Sequence, residues 1–398
     1  MRRNQGAMTV KASYLLLYAL TAFLLTWFSY RPVLRIAIKR QVVDHPNKRK
    51  LQDQPVPVLG GVAVAIGVFI PLIYATYHYV KPAIWYQIAA MAIMLIIGVL
   101  DDIYDVPAWI RLMVEIVVIW LFLWGTQSVI DDFHGLFGIH NLLSMYIGLP
   151  LSILAGVGIV NAINLIDGVD GYSSGYGIMA NACFTIVFAM AGDVVSAVFS
   201  IIAAAALIPF FIHNVFGNKS KMFIGDGGSL LIGMILVCDV FVLLTHQSIG
   251  IQLAVNGVGV VALALAILCI PIFDTLRVMF ARMLHKRSPM QADKTHLHHR
   301  FIAFGFSHVG TSTIIILTNL VIILLWYLSF RIGCSVDTQF WLVVVLGILT
   351  TTFFYYGTEW CEKRQNKVYF WLRRLGQATH FEHNGVWLRL QTLLDRGL

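Results

Sequence analysis

Four polar clusters interrupt a chain that is otherwise overwhelmingly apolar, and each has a composition suited to chemistry. Asp101-Asp102 closes an apolar run. Adjacent carboxylates at a membrane boundary are costly without a partner, which makes them functional candidates; a helix stop facing water accounts for the same pair equally well. The segment 161–171 reads Asn-Ala-Ile-Asn-Leu-Ile-Asp-Gly-Val-Asp-Gly. Asn164 and Asp167 are three apart and share a helix face, Gly168 and Gly171 then break the helix, and Asp170 follows in the turn. Hard oxygen donors of this kind suit Mg²⁺, a cation that also draws on phosphate oxygens. An Asx-rich turn between helices is the plainer account.

Phe223-Ile224-Gly225-Asp226-Gly227-Gly228-Ser229 opens another apolar run. Unpaired N–H groups at a helix start favour an anion, and Asp226 could hold a cation beside it. Simple capping by Asp226 or Ser229 is the alternative. Phe223 offers either an aromatic face to a planar ligand or a core ring. His296-Leu297-His298-His299 lies in a basic stretch with Asp293, Lys294 and Arg300. With no cysteine nearby, phosphate binding is favoured over zinc or a purely structural loop. Arg111 and Glu115, within an apolar run, are spaced for an i,i+4 ion pair, and Arg111 could instead reach a phosphate. Pro271 and Asp274 mark a kink. Asp105 reads as solvated, as does the loop carrying Asp131, Asp132 and His134.

The elements that must position these clusters are membrane spans. The chain has 398 residues, 59% hydrophobic and only 12% charged. Runs long enough to cross a bilayer as helices lie near 12–30, 56–76, 83–100, 107–124, 149–164, 175–192, 194–213, 228–246, 252–276, 310–329 and 338–357. The first has too long an apolar core and no small-residue cleavage site, so it reads as a span rather than a signal peptide. The expected fold class is an all-α integral membrane protein of about eleven transmembrane helices. Residues 1–357 form the multi-span domain, and 358–398 form a basic tail, either an amphipathic helix on the inner leaflet or loosely ordered. The five cysteines follow no metal or disulfide spacing.

Lys and Arg sort between alternate loops. Seven lie in 31–55, six in 277–309 and seven in the tail, with Lys219 and Lys221 adding two. The opposite loops hold only Arg2, Arg3, Lys11, Lys81 and Arg331. The positive-inside rule puts the first set in the cytoplasm, with the N-terminus outside and the C-terminus inside. All four clusters then share the cytoplasmic side. The net charge of +8 is thus a matter of topology rather than nucleic-acid binding. One-sided clustering suits an enzyme with cytosolic substrates; a secondary transporter would hold its polar groups near the midplane, and a non-catalytic scaffold would not need the acidic set.

Taken in order, these clusters resemble the polyprenyl-phosphate N-acetylhexosamine-1-phosphate transferase family. The resemblance covers about 40–305 and includes Asp44-His45-Pro46-Asn47-Lys48-Arg49-Lys50 and Pro57-Val58-Leu59-Gly60-Gly61. It implies UDP-GlcNAc as donor and undecaprenyl phosphate as acceptor in the bacterial inner membrane, with the active site on the cytoplasmic face and the product initiating an envelope polysaccharide. It implies Mg²⁺, or Mn²⁺, held by Asn164 and Asp226. Asp101, Asp102 and Asp167 are the catalytic candidates it suggests. Asp170 matches the uracil-recognising position and Arg111 a basic position near the phosphates. His296, His298 and His299 fall in the diphosphate motif, and Lys50 and Phe223 are further substrate-binding candidates. A homodimer is a family-level expectation. The Pro-Asn-x-Arg-Lys stretch and the His-Leu-His-His form look closer to the WecA branch than to MraY. Gln52, Tyr172 and Ser173 depart from the usual pattern, which leaves open another UDP-N-acetyl sugar or MraY-like transfer of phospho-MurNAc-pentapeptide.

Overall fold

A computed structural model describes residues 2–44, 54–78, 83–139, 144–245, 249–288, 295–382 and 384–396. The chain is an all-α integral membrane protein. Ten helices are long and apolar enough to span a bilayer, and a bent pair brings the number to eleven if it counts as one span. The helices are α1 (Arg2–Arg40), α2 (Gly60–His78), α3 (Ala83–Tyr104), α4 (Ala108–Thr126), α5 (Met145–Leu165), α6 (Tyr172–Ala191), α7 (Val194–Phe216) and α8 (Gly225–Leu244). They continue with α9 (Ile249–Val255), α10 (Val260–Ile267), α11 (Cys269–Leu284), α12 (Leu297–Ala303), α13 (His308–Arg331), α14 (Val336–Ile348), α15 (Phe354–Arg364), α16 (Lys367–Gln377) and α17 (Gly385–Asp395).

Each span expected from hydropathy has a helix at its place except the ninth. Residues 252–276 do not form one rod: α9 and α10 meet at 111° and α11 follows after Leu268. Gln252 and Asn256 scarcely lower the hydropathy of the run, so composition hides the breaks; Gly257, with φ +80, allows the first turn. α14 and α15 run on through a π-helical stretch, Leu349–Phe353, as one span.

The bundle is organised around α8. Nearly every residue along α8 is buried, and it packs against α2, α3, α5, α6 and α10. Its Leu, Ile, Val and Met side chains point in all directions, as expected of a helix with protein on every side. A two-stranded antiparallel ribbon, β1 (Val43–Asp44) with β2 (Val56–Pro57), stands at the end of the bundle where α8 begins. From there the backbone of 57–61 zips onto the segment leading into α8. Phe223 N–H donates to Pro57 O at 2.8 Å, Gly60 N–H to Phe223 O at 2.9 Å and Gly61 N–H to Ile224 O at 2.8 Å. The Pro57–Gly61 stretch therefore fixes where the first turn of α8 sits.

The region of Asp131, Asp132 and His134 is packed, not solvated. Asp132 and His134 are buried, Asp132 accepts the His134 N–H at 3.0 Å, and His134 Nε2 lies 3.1 Å from Leu244 O. Short polar sequence reads as loop, but here it closes the far end of α8.

Candidate active site

The four clusters meet at one cleft. Its volume is about 1640 Å³, and Asp101, Asp102, Asp167, Asp170, Asp226 and His299 all line it.

The first turn of α8 forms its floor. Gly225 takes φ +74, a left-handed conformation open to glycine, and a β-carbon there would come within 2.4 Å of Asp102 Oδ2. Asp102, at the end of α3, uses that space. Its Oδ1 accepts the N–H of Asp226 at 2.9 Å and its Oδ2 that of Gly227 at 3.1 Å. The start of α8, expected from sequence to cradle an external anion, already holds a carboxylate from its own chain. The helix dipole and free N–H groups that would attract a phosphate attract Asp102 instead.

Asp226 follows on the same turn. Its Oδ1 accepts from Asn164 Nδ2 at 2.6 Å, and the same amide donates to Ser229 Oγ at 2.8 Å. Arg111 Nη1 stands 3.8 Å from Asp226 Oδ2. The Asp226 side chain is 37% exposed against 7% for Asp101, so Asp226 is the carboxylate presented to a ligand.

Asp101 faces the protein. Its Oδ1 accepts the Val106 N–H at 2.8 Å and its Oδ2 a hydrogen bond from Arg111 Nη1 at 2.7 Å. Arg111 Nε is also 3.7 Å from Glu115, the expected i,i+4 pair, and Glu115 in turn accepts from Asn161. One guanidinium thus serves three carboxylates.

Asp167 leaves α5 in a tight turn, its N–H donating to Asn164 O at 3.2 Å. Ser173 Oγ donates to Asp167 Oδ1 at 2.5 Å. Burial pushes the Asp167 carboxyl up to about 7, opposed by the Ser173 hydrogen bond and reinforced by the charges of Asp226 and Asp170. Asp170 is the opposite case. Burial alone would raise its pKa, but hydrogen bonding by His308 and the charge of Lys221 hold it below the ordinary carboxylate range. Lys221 Nζ is 2.7 Å and His308 Nδ1 2.9 Å from Asp170 Oδ2. Asn214 locks the turn from behind: its Oδ1 accepts the Gly171 N–H at 2.7 Å and its Nδ2 donates to Met222 O at 3.0 Å.

Of the expected histidines, His299 lines the cleft, and His296 and His298 are buried behind it. Asp274 organises them, accepting from Arg277 Nη2 at 2.6 Å and from the Leu297 N–H, with His296 Nδ1 at 3.0 Å. His298 lies against Gly168, where a β-carbon would fall 2.5 Å from its Nε2. Gly168 therefore makes room for an imidazole. Among the described residues neither His298 nitrogen has a hydrogen-bond partner, nor has His296 Nε2. Burial, then the neighbouring charges of His299 and His296, push the His298 imidazolium well below its usual range, so the ring is neutral. The Tyr172 ring meets it at 6.1 Å. Phe223 is half-buried on the cleft wall, with Lys221 Nζ 5.8 Å from its ring centre. Lys50 lies outside the described residues, as do Lys48, Arg49, Asp293 and Lys294.

Four residues that shape the site had no signal strong enough in sequence. Lys221 stood out only as one more positive charge, and His308 only as the start of a span. Asn214 is a polar residue at the end of an apolar run, which was the available clue. Ser173, noted as a departure from the family pattern, is the Asp167 partner.

Among the described residues no three carboxylate, imidazole or thiol groups are placed to cage a metal. The oxygen donors at hand are Asp226 and Asn164 side by side, with Asp102 and Asp167 nearby. Among the described residues neither Asp102 nor Asp167 has a cationic side chain in ion-pair range, and the Asp226 charge bears on both. Clustered oxygen donors too few to enclose an ion fit Mg²⁺, which keeps waters and substrate phosphates among its ligands.

The sequence profile of glycosyl transferase family 4 matches residues 84–246, which span α3 to α8. The chain is 32% identical over 286 residues to a probable undecaprenyl-phosphate N-acetylglucosaminyl 1-phosphate transferase of Bacillus subtilis, covering 72% of this chain and 76% of that protein. It is 27% identical over 353 residues to the undecaprenyl-phosphate alpha-N-acetylglucosaminyl 1-phosphate transferase of Escherichia coli K12, covering 88% and 92%. The Yersinia pestis protein of the same name is 26% identical over 342 residues, covering 85% and 89%.

Proposed function

We propose, starting from the fact that the chain belongs to glycosyl transferase family 4, that it moves a sugar-1-phosphate from a UDP-sugar to a polyprenyl phosphate at the bilayer surface. The finer reading is GlcNAc-1-phosphate transferred from UDP-GlcNAc to undecaprenyl phosphate, with release of UMP, as the first step of an envelope polysaccharide. The charge asymmetry of the loops supports a cytoplasmic-facing cleft in a bacterial inner membrane. The observation that carries the reading is the convergence of Asn164, sixty-two positions away, on Asp226 in a cleft lined by Asp102, Asp167, Asp170 and His299.

In the reaction an oxygen of the lipid phosphate forms a bond to the β-phosphorus of the donor. The bond from that phosphorus to the bridging oxygen breaks, and UMP leaves with the electron pair. Both reactants are anions, so positioning and electrostatics make up most of the catalysis. Asp226 and Asn164 are the residues that would hold Mg²⁺, which when bound neutralises charge on the diphosphate oxygens. Arg111, aimed by Asp101 and Glu115, holds a fixed positive charge beside Asp226. His299 offers its imidazole to the diphosphate from the cleft wall, with His298 packed behind it against Gly168. Asp170, held by Lys221 and His308, presents a fixed carboxylate to the N–H of uracil. Asp102 sets the position of Asp226 through the first turn of α8. A phosphate monoester with a second pKa near 6 is already mostly dianionic at pH 7, so Asp102 and Asp167 need not act as bases.

The test is a lipid-product assay on purified protein, comparing UDP-GlcNAc with UDP-MurNAc-pentapeptide. Lipid-linked GlcNAc with one UMP per product is the expected result. Product from the pentapeptide donor alone would move the chain to the MraY-like reaction. No lipid product from either, with labelled substrate entering sealed vesicles, would mark a transporter.

A further inference from the structure

The last helices of the chain are built into the cleft rather than apart from it. At one end of this segment, Asp395 accepts the backbone N–H groups of Asn218, Lys219 and Ser220 at 3.3, 3.1 and 2.9 Å. Arg31 Nη2 donates to the neighbouring Leu394 O at 3.2 Å. The Trp387 ring packs on Phe216 with centres 4.6 Å apart. At the other end, the Ser307 N–H donates to Thr379 Oγ1 at 2.9 Å and Ser307 Oγ to Thr379 O at 2.8 Å. His380 Nε2 lies 3.1 Å from Gly305 O.

These two anchors fall on particular loops. Ser220 directly precedes Lys221, and Ser307 directly precedes His308. Lys221 and His308 are the two residues whose nitrogens meet on Asp170 Oδ2. Between the anchors, Trp387 and Gln391 line the cleft itself. A carboxylate receiving three N–H groups is a charge-assisted clamp on a short surface loop, a class of segment that otherwise moves readily.

We propose that residues 376–382 and 384–395 act as a strap that positions Lys221 and His308 about Asp170 and thereby sets the affinity of the cleft for the nucleotide half of the donor. The proposal rests on the reading of Asp170 as the uracil-binding side. Asp395 and Thr379 are positioning residues in this scheme. Releasing the strap lets Lys221 leave Asp170, so only a fraction of molecules is competent to bind nucleotide. Apparent affinity falls by that fraction, and if a tenth stay competent the loss is about tenfold. Once donor is bound, the reacting groups on α8 are unaffected.

The experiment uses the full chain with UDP-GlcNAc and polyprenyl phosphate, and measures UMP binding by calorimetry alongside turnover. Asp395→Ala is expected to raise the KM for UDP-GlcNAc and weaken UMP binding about tenfold, with kcat and the KM for polyprenyl phosphate within about twofold of wild type. Asp395→Glu should recover most of the loss. Adding Asp395→Ala to Lys221→Ala should change little, because the clamp acts through that lysine. Thr379→Val tests the other anchor and should move the same two constants. Variants with wild-type donor KM and UMP affinity, or a loss shared equally by both substrates, would overturn the strap. A wild type that binds no UMP and makes no lipid product would overturn the functional reading, and the strap's role with it.

Discussion

The Asp102 carboxylate accepts the backbone N–H of Asp226 at 2.9 Å, so two acidic residues far apart in the chain are tied together through the first turn of α8. The arrangement separates their duties. Asp102 spends its charge on the helix start, and Asp226 keeps its own side chain turned to the cleft.

Asp226→Asn should therefore lower kcat about a hundredfold or more in Mg²⁺ while leaving the fold intact. Turnover near wild type would remove Asp226 from the metal site. Asp102→Ala should act on the structure as well, because two N–H groups lose their acceptor. The comparable loss of a helix N-cap costs about 1–2 kcal/mol. A thermal melt of the purified variant reads that cost directly, and an unchanged melting temperature would contradict the capping role.

Gly225→Ala should be among the more damaging single-methyl changes in the chain. The backbone there is left-handed, which costs an L-residue about 1–2 kcal/mol, and the new methyl would also displace the Asp102 carboxylate. Activity should fall together with stability. A variant with wild-type turnover would show that the Asp102 contact can shift without consequence.

The Asp167 carboxyl titrates near neutrality, at about 7. If the ionised form is the active one, turnover rises with pH through that region. The Ser173 hydrogen bond favours the charged form, so Ser173→Ala should move the acidic limb of kcat/KM to higher pH. In stability the sign is reversed. The fold binds this proton more tightly than the unfolded chain, so the group opposes folding progressively as pH rises from its ordinary value near 3.8 through about 7. An acidic limb unmoved by Ser173→Ala would disconnect Asp167 from the rate.

Asp170 remains ionised across the working range, because its pKa is lowered by His308 and Lys221 despite burial. Its contribution to stability is present above the ordinary carboxylate pKa and is lost only as pH falls through the depressed value. Asp170→Ala should raise the KM for UDP-sugar about tenfold or more with a smaller effect on kcat, since uniform binding is what it removes. An unchanged KM would contradict the uracil role.

Much of this was legible before the fold was known. Long apolar runs announce spans because lipid leaves a chain few alternatives, and the sorting of Lys and Arg placed the polar clusters on one side. The pairing of Asn164 with Asp226 came from the family resemblance, and the structure brings the two side chains within 2.6 Å. What stayed hidden depended on contacts between distant segments. Nothing local marks Ser173 as the Asp167 donor, or Lys221 and His308 as partners of Asp170. The start of α8 looked like an anion site because its glycines and N–H groups have that chemistry, and only the position of α3 shows that Asp102 fills it. The broken ninth span escaped because Gln252 and Asn256 are the two polar residues in an otherwise apolar stretch from α9 to the beginning of α11.

The enclosure of α8 has a consequence for the isoprenoid. A helix wrapped by protein on every side offers no surface to a hydrocarbon chain, so on the proposed reading the tail of the acceptor cannot lie along α8 and has to reach its first turn past the helices that surround it.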